Sequence, residues 1–167
     1  VALAEGDYQV RSLVANSLPR TDDIQLLGGQ THRHVVQLEG ASLQGSLPEG
    51  LQNGHVLLLQ RQPQHADIEA DLTKRLRKVV RHPPAPGLGG SFRGVHGRIT
   101  WTAHYAASLV AADGTFGFDH MPDGDYWLVA SATGYRIGGP FDLSIRNGVL
   151  HSSSLGDDLR MELQPGA

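Results

Sequence analysis

The sequence contains no cysteine. That excludes disulfides, thiolate zinc sites, iron-sulfur clusters, covalent c-type haem and a cysteine nucleophile. Aromatic residues are scarce, at 6%. Those at alternating positions are therefore expected in a core before a binding face. No apolar run approaches the ~18 residues of a membrane-spanning helix. There is no excess of basic charge: the net charge is -3 and the pI near 6.3. This argues against a general nucleic-acid binder. Catalytic signatures are missing too. There is no Gly-x-Ser-x-Gly and no His-Glu-x-x-His. Gly87-Leu88-Gly89-Gly90 lacks the following Lys-Ser/Thr of a phosphate loop. The chain opens Val1-Ala2-Leu3, without Met or a signal-peptide pattern. A processed protein, a fragment or the ordered part of something longer is the expectation.

What is present points to β-structure. With 40% hydrophobic residues in 167, the chain can bury one sandwich-sized core with something left over. Its 21 glycines and 9 prolines suit a turn-rich β protein. Gly-Asp-Tyr occurs twice, at 6–8 and at 124–126. Around the second copy, an Asp113-Gly114 turn leads into an alternation with Phe116 and Phe118. Pro122-Asp123-Gly124 then turns into an alternation with Tyr126, Leu128 and Ala130. This predicts two neighbouring antiparallel strands with one face in a core.

The two Gly-Asp-Tyr sites head similar successions. Ile24-Gln25-Leu26 answers to Phe141 through Ile145, Val36-Gln37-Leu38 to Met161-Glu162-Leu163, and Gly40-Ala41 to Gly166-Ala167. The second copy carries extra residues around His151 to Gly156. Read as an internal repeat, residues 1–41 are the C-terminal part of a preceding β unit, or a packing segment. Residues 42–167 are then a whole unit, opening with strands Leu43–Leu47 and His55–Leu59. A partial unit cannot bury its own apolar face, and free strand edges are templates for pairing.

Residues 63–95 interrupt the β grammar. Ile68, Leu72, Leu76 and Val79/Val80 mark one helix face. Acids at the start (Asp67, Glu69, Asp71) and bases at the end suit the helix dipole. Pro83-Pro84 stops the helix, and Gly87 to Gly90 reads as a flexible return. Strand structure is expected to resume at Arg98.

Residues 43–60 with 98–135 resemble a carboxypeptidase regulatory-like domain, a transthyretin-like or prealbumin-like sandwich. The carriers are Leu43-Gln44-Gly45, Asp113-Gly114 with Phe116 and Phe118, Pro122-Asp123-Gly124-Asp125-Tyr126, and Thr133-Gly134-Tyr135. The 63–95 insertion departs from a minimal member. The resemblance implies an all-β, Ig-like/prealbumin-like antiparallel β-sandwich of about seven strands. To this are added one inserted short helix and an N-terminal β segment. It also implies an extracytoplasmic bacterial setting, with such units in tandem and no catalytic residues of their own.

Candidate site residues are few. His32 and His34 form His-x-His, a usable ligand pair on a strand. The related intradiol dioxygenases use two Tyr and two His on iron, which Tyr8, Tyr126, His32 and His34 would have to supply. Asp119, Asp123 and Asp125 flank one turn and suit either calcium or turn chemistry. Trp101, Tyr105 and Trp127 suit either a core or a sugar-stacking face. Lys74, Arg75, Arg77, Lys78 and Arg81 suit either solvent or an anionic partner.

The expected function is a non-catalytic structural or assembly module, with no cofactor. Its partners would be other subunits or further copies of the unit. The alternatives are a carbohydrate- or peptide-binding accessory module and, remotely, a metal-dependent dioxygenase-like enzyme.

Overall fold

The computed structural model describes residues 2–166. A hairpin of β1 (Gly6–Ser12) and β2 (Arg20–Leu26) comes first. Strands β3 (Ala41–Ser46) and β4 (His55–Arg61) lead to a 3-10 turn, Pro63–Ile68, and helix α1 (Glu69–Arg81). Then follow β5 (Gly90–His96), β6 (Ile99–Leu109), β7 (Thr115–Met121), β8 (Gly124–Ser131), β9 (Gly138–Arg146) and β10 (Val149–Ser152). The main sheet runs β10-β9-β8-β4-β6-β5, and β3-β7 forms a smaller one. All named strand pairs are antiparallel. The fold is thus mostly β, an open-sheet sandwich with a helix and an N-terminal hairpin.

Strand β4 explains the layering. Its Val56, Leu57, Leu58 and Leu59 are all buried, four in a row. Successive strand residues point to opposite faces, so both faces of the main sheet are covered. Val56 and Leu58 join Phe116, Phe118 and Met121 of β7. Leu57 and Leu59 join Leu72, Leu76 and Val80 of α1. The predicted helix stripe is therefore the third layer of the molecule. Its start is fixed by His65: the Gln62 N–H donates to Nδ1 at 3.1 Å, and Nε2 lies 3.0 Å from the Thr102 carbonyl. After β10, residues 159–163 return over the first core. Leu159, Met161 and Leu163 are buried there, and a parallel bridge joins Ser46 to Arg160.

Two expectations need correction. The alternations around Phe116 and Tyr126 are not a hairpin pair. β7 belongs to the small sheet and β8 to the main one, so Pro122-Asp123-Gly124 turns a corner between layers. Both strands feed one core from opposite sides, and alternation cannot tell that from pairing. The glycine-rich return after α1 is also not merely loop, because β5 pairs along β6. Gly90 and Gly94 lie opposite Tyr105 and Trp101. A Cβ on Gly90 would come 2.5 Å from the Tyr105 hydroxyl, and one on Gly94 2.5 Å from the Trp101 ring. The aromatic rings cover these glycines, which therefore sit in a strand despite their poor strand propensity.

Candidate functional site

The N-terminal hairpin and the β8–β9 hairpin share their local geometry. Gly6 and Gly124 have φ of 151° and 155°. The Tyr8 hydroxyl donates to the Ala4 carbonyl at 2.8 Å, and the Tyr126 hydroxyl to the Pro122 carbonyl at 2.6 Å. Each tyrosine lies opposite an aliphatic residue, Ile24 on β2 and Leu143 on β9.

The two hairpins differ in what covers them. Tyr126, Leu128, Leu143 and Ile145 are buried, closed over by β7 and residues 159–163. Tyr8, Val10, Ile24 and Leu26 alternate correctly but are only half-buried. The counterpart of the closing tail is also present: Val36 and Leu38 are half-buried at alternate positions. Arg20 donates to the Gln37 carbonyl, and His34 Nε2 lies 3.2 Å from Asp22. No counterpart of β3, β4 or β7 lies over this hairpin among the described residues. Leu3, Leu13, Val14, Leu27 and Val35 are exposed around it. This half-open apolar face is the candidate site.

Its loop end is clamped to the sandwich. Leu18 packs against the first core. The Ser17 hydroxyl donates to the Asp119 carbonyl at 3.0 Å, and the Asp119 N–H to the Asn16 carbonyl at 2.8 Å. Arg11 donates to Ser91 Oγ at 3.2 Å. The hairpin is therefore held at one end, while among the described residues no strand pairs with its outer edge along β1.

The other candidates are placed as follows. His32 and His34 stack at 6.3 Å between ring centroids, but in coil rather than on a strand. Tyr126 lies in another sheet with its hydroxyl committed, and burial, then the Asp123 charge, holds its pKa far above the usual tyrosine value. Tyr8 and Tyr126 thus stand in different sheets, each with its hydroxyl committed to a backbone carbonyl. No cluster of three or more His, Cys, Asp or Glu suited to a metal occurs among the described residues.

The acids around the corner serve the backbone and an arginine. Asp123 accepts from the Gly148 and Asn147 N–H groups at 3.0 and 2.7 Å, which depresses its pKa. Asp125 pairs with Arg146 at 2.7 Å, and Asp119 accepts from the Ser42 hydroxyl at 3.2 Å.

The aromatic face needs correction. Trp101, Tyr105 and Trp127 are 4%, 6% and 7% exposed: they share a core with Leu72, Leu76 and Val80 of α1, Arg75 and Arg61 lie over the rings of Trp101 and Trp127, and Phe92 stacks on Tyr105 at 5.1 Å. They offer no open plane to a sugar. Among the helix bases, Arg75 donates to the Arg93 carbonyl at 2.7 Å and sits over Trp101. Lys74, Arg77, Lys78 and Arg81 face solvent.

One constellation escaped the sequence reading. Ser91 Oγ lies 2.6 Å from His104 Nδ1, across the β5–β6 pair. Burial first, then the charges of Arg11 and Arg93, lowers the His104 pKa. Those positive neighbours oppose the imidazolium that a general base must carry. The pair is therefore suited to seating Arg11, and through it the hairpin. Only the unexpected strand β5 brings the two residues together.

Comparison of the chain with protein-family models, curated proteins and solved structures finds no match.

Proposed function

We propose that this chain is a non-catalytic structural or assembly module of an exported bacterial protein. It would be a sandwich of the carboxypeptidase regulatory-like type, working through packing and edge-strand contacts with other units. The observation that carries this reading is the half-covered apolar face of the β1–β2 hairpin. Its geometric counterpart, β8–β9, is fully built into a core. A free apolar strand edge is an interaction template. The bacterial, extracytoplasmic setting rests on the sequence resemblance alone. Light scattering on the protein isolated from its source tests the proposal. A mass well above 18.0 kDa is expected. A strict monomer that is equally stable without residues 1–41 would sink it.

A further inference from the structure

Among the described residues, strand β1 pairs only with β2. Its counterpart β8 is paired on both edges, with β9 on one side and β4 on the other. In the complete unit, Gln60 lies opposite Tyr126, Leu58 opposite Leu128, and Val56 opposite Ala130. Superposing Tyr8 on Tyr126 gives the register on the open edge. An incoming antiparallel strand would set those three positions opposite Tyr8, Val10 and Ser12.

The two faces of the hairpin say what kind of unit brings that strand. Its inner face carries Tyr8, Val10, Ile24 and Leu26, all half-buried. In the complete unit this layer is closed by Phe116, Phe118 and Met121. A second copy of the hairpin, paired β1 to β1, would bring no such closing layer. The outer face differs from its counterpart. Trp127 and Val129 of β8 are buried beneath α1, but the matching positions on β1 are Gln9 and Arg11, both exposed, and Arg11 already reaches Ser91 of this chain's own β5. The open hairpin therefore asks for a sandwich partner without a helix on that side, since an apolar helix face laid on Gln9 and Arg11 would strand polar groups.

We propose that the leading half of a further sandwich unit of this fold, lacking the α1 insertion, docks on the β1–β2 hairpin. Its β4-type strand adds antiparallel along β1, and its β3–β7-type layer closes over Tyr8 and Ile24. This rests on the assembly reading above and names the partner that reading leaves open.

The probe is a synthetic peptide of residues 54–62 of this chain, the strand that fills the equivalent place on β8. It is added to the full 167-residue protein, and amide hydrogen exchange is followed residue by residue. The β1 amides should slow by about tenfold or more with peptide bound, while those of β8 stay unchanged. The same peptide carrying V56D and L58D should give no slowing, because its inward positions are charged. Since the substitutions are in the peptide, misfolding of the protein cannot mimic the result.

Unchanged β1 exchange, or equal slowing by both peptides, overturns the proposal. So does β1 protection that appears without peptide and rises with protein concentration, which would make a second copy the occupant. Failure here with a large native mass would leave the assembly reading standing on another surface. Peptide binding by a protein that is monomeric in its source and equally stable without residues 1–41 would uphold the docking edge and remove only the assembly reading.

Discussion

Replacing Tyr126 and Tyr8 in turn by alanine measures the difference between the two Gly-Asp-Tyr sites. Both hydroxyls make the same local hydrogen bond, so local geometry alone predicts equal losses. Burial predicts otherwise. Tyr126 is 1% exposed and packed among Phe118, Leu128 and Leu143. Truncating a buried aromatic costs about 3–5 kcal/mol through lost transfer energy and the cavity left behind. Of that, the hydroxyl accounts for about 1 kcal/mol, so Tyr126→Phe should recover most of the loss. Tyr8 is half-exposed on an open hairpin, and Tyr8→Ala should cost below about 1 kcal/mol. For a domain of this size each kcal/mol is worth about 2–4 °C in Tm. Tyr126→Ala should therefore melt roughly 6–20 °C lower, and Tyr8→Ala only a few degrees lower. Urea unfolding followed by tryptophan fluorescence is the assay, since Trp101 and Trp127 both sit in the layer beneath α1 and report on the sandwich. Equal costs at the two sites would refute the reasoning. They would mean that the hairpin face is already closed and unfolds with the rest.

Leu76→Ala should cost about 2–5 kcal/mol, because Leu76 is fully buried between α1 and the sheet; a loss under 1 kcal/mol in urea unfolding would mean the helix is not a structural layer. Gly114→Ala should be severely destabilising: Gly114 has φ +87°, and a Cβ there would lie 2.0 Å from the Leu47 carbonyl oxygen. Gly29→Ala, at φ +72° with nothing within 4 Å, isolates the backbone cost of about 1–2 kcal/mol, and comparing the two midpoints checks the steric share. Stability should also fall on mild acidification. Burial, then the Arg61 charge, lowers the His65 pKa, with the Thr102 carbonyl opposing them. The unfolded chain then binds the proton more readily, so stability is full above the ordinary histidine value of 6.5 and is lost as pH falls toward the lowered folded value. Protonation puts a hydrogen on Nδ1, the atom that accepts from the Gln62 N–H, and loosens the turn into α1. His55 and His104 are shifted the same way by burial and add to the slope. His65→Gln should flatten, without abolishing, the fall in urea midpoint between about pH 7 and 5; an unchanged slope would clear His65 of the effect.

Much of the local structure is legible in the residues. The stripe Ile68, Leu72, Leu76 and Val80 predicts α1, since a 3.6-residue period puts the four on one face. Asp113-Gly114 and Pro122-Asp123-Gly124 mark real turns because their residue types tolerate or demand those backbone angles. The repeated Gly-Asp-Tyr predicts matching hairpins, and the hydroxyl-to-carbonyl bonds four residues back explain why the motif is local. The candidate site is half legible: the alternation of Tyr8, Val10, Ile24 and Leu26 shows an apolar face, though not how much of it is covered.

Contacts between residues distant in sequence decided the rest. The glycines of β5 read as loop until the rings of Trp101 and Tyr105 lie over them. The three aromatics of the supposed ligand face are buried because α1, Arg61 and Phe92 come to lie on that side, and periodicity on a strand does not reveal which faces are covered. The same limit hid the assignment of β7 and β8 to different sheets. Short-range spacing determined the elements and turns of this protein, because those depend on backbone angles and side-chain period. Which face each element buries, and the contrast between the closed core at Tyr126 and the open one at Tyr8, belonged to the tertiary structure. Burial is a property of what comes to lie across a face, and that neighbour is seldom adjacent in the chain.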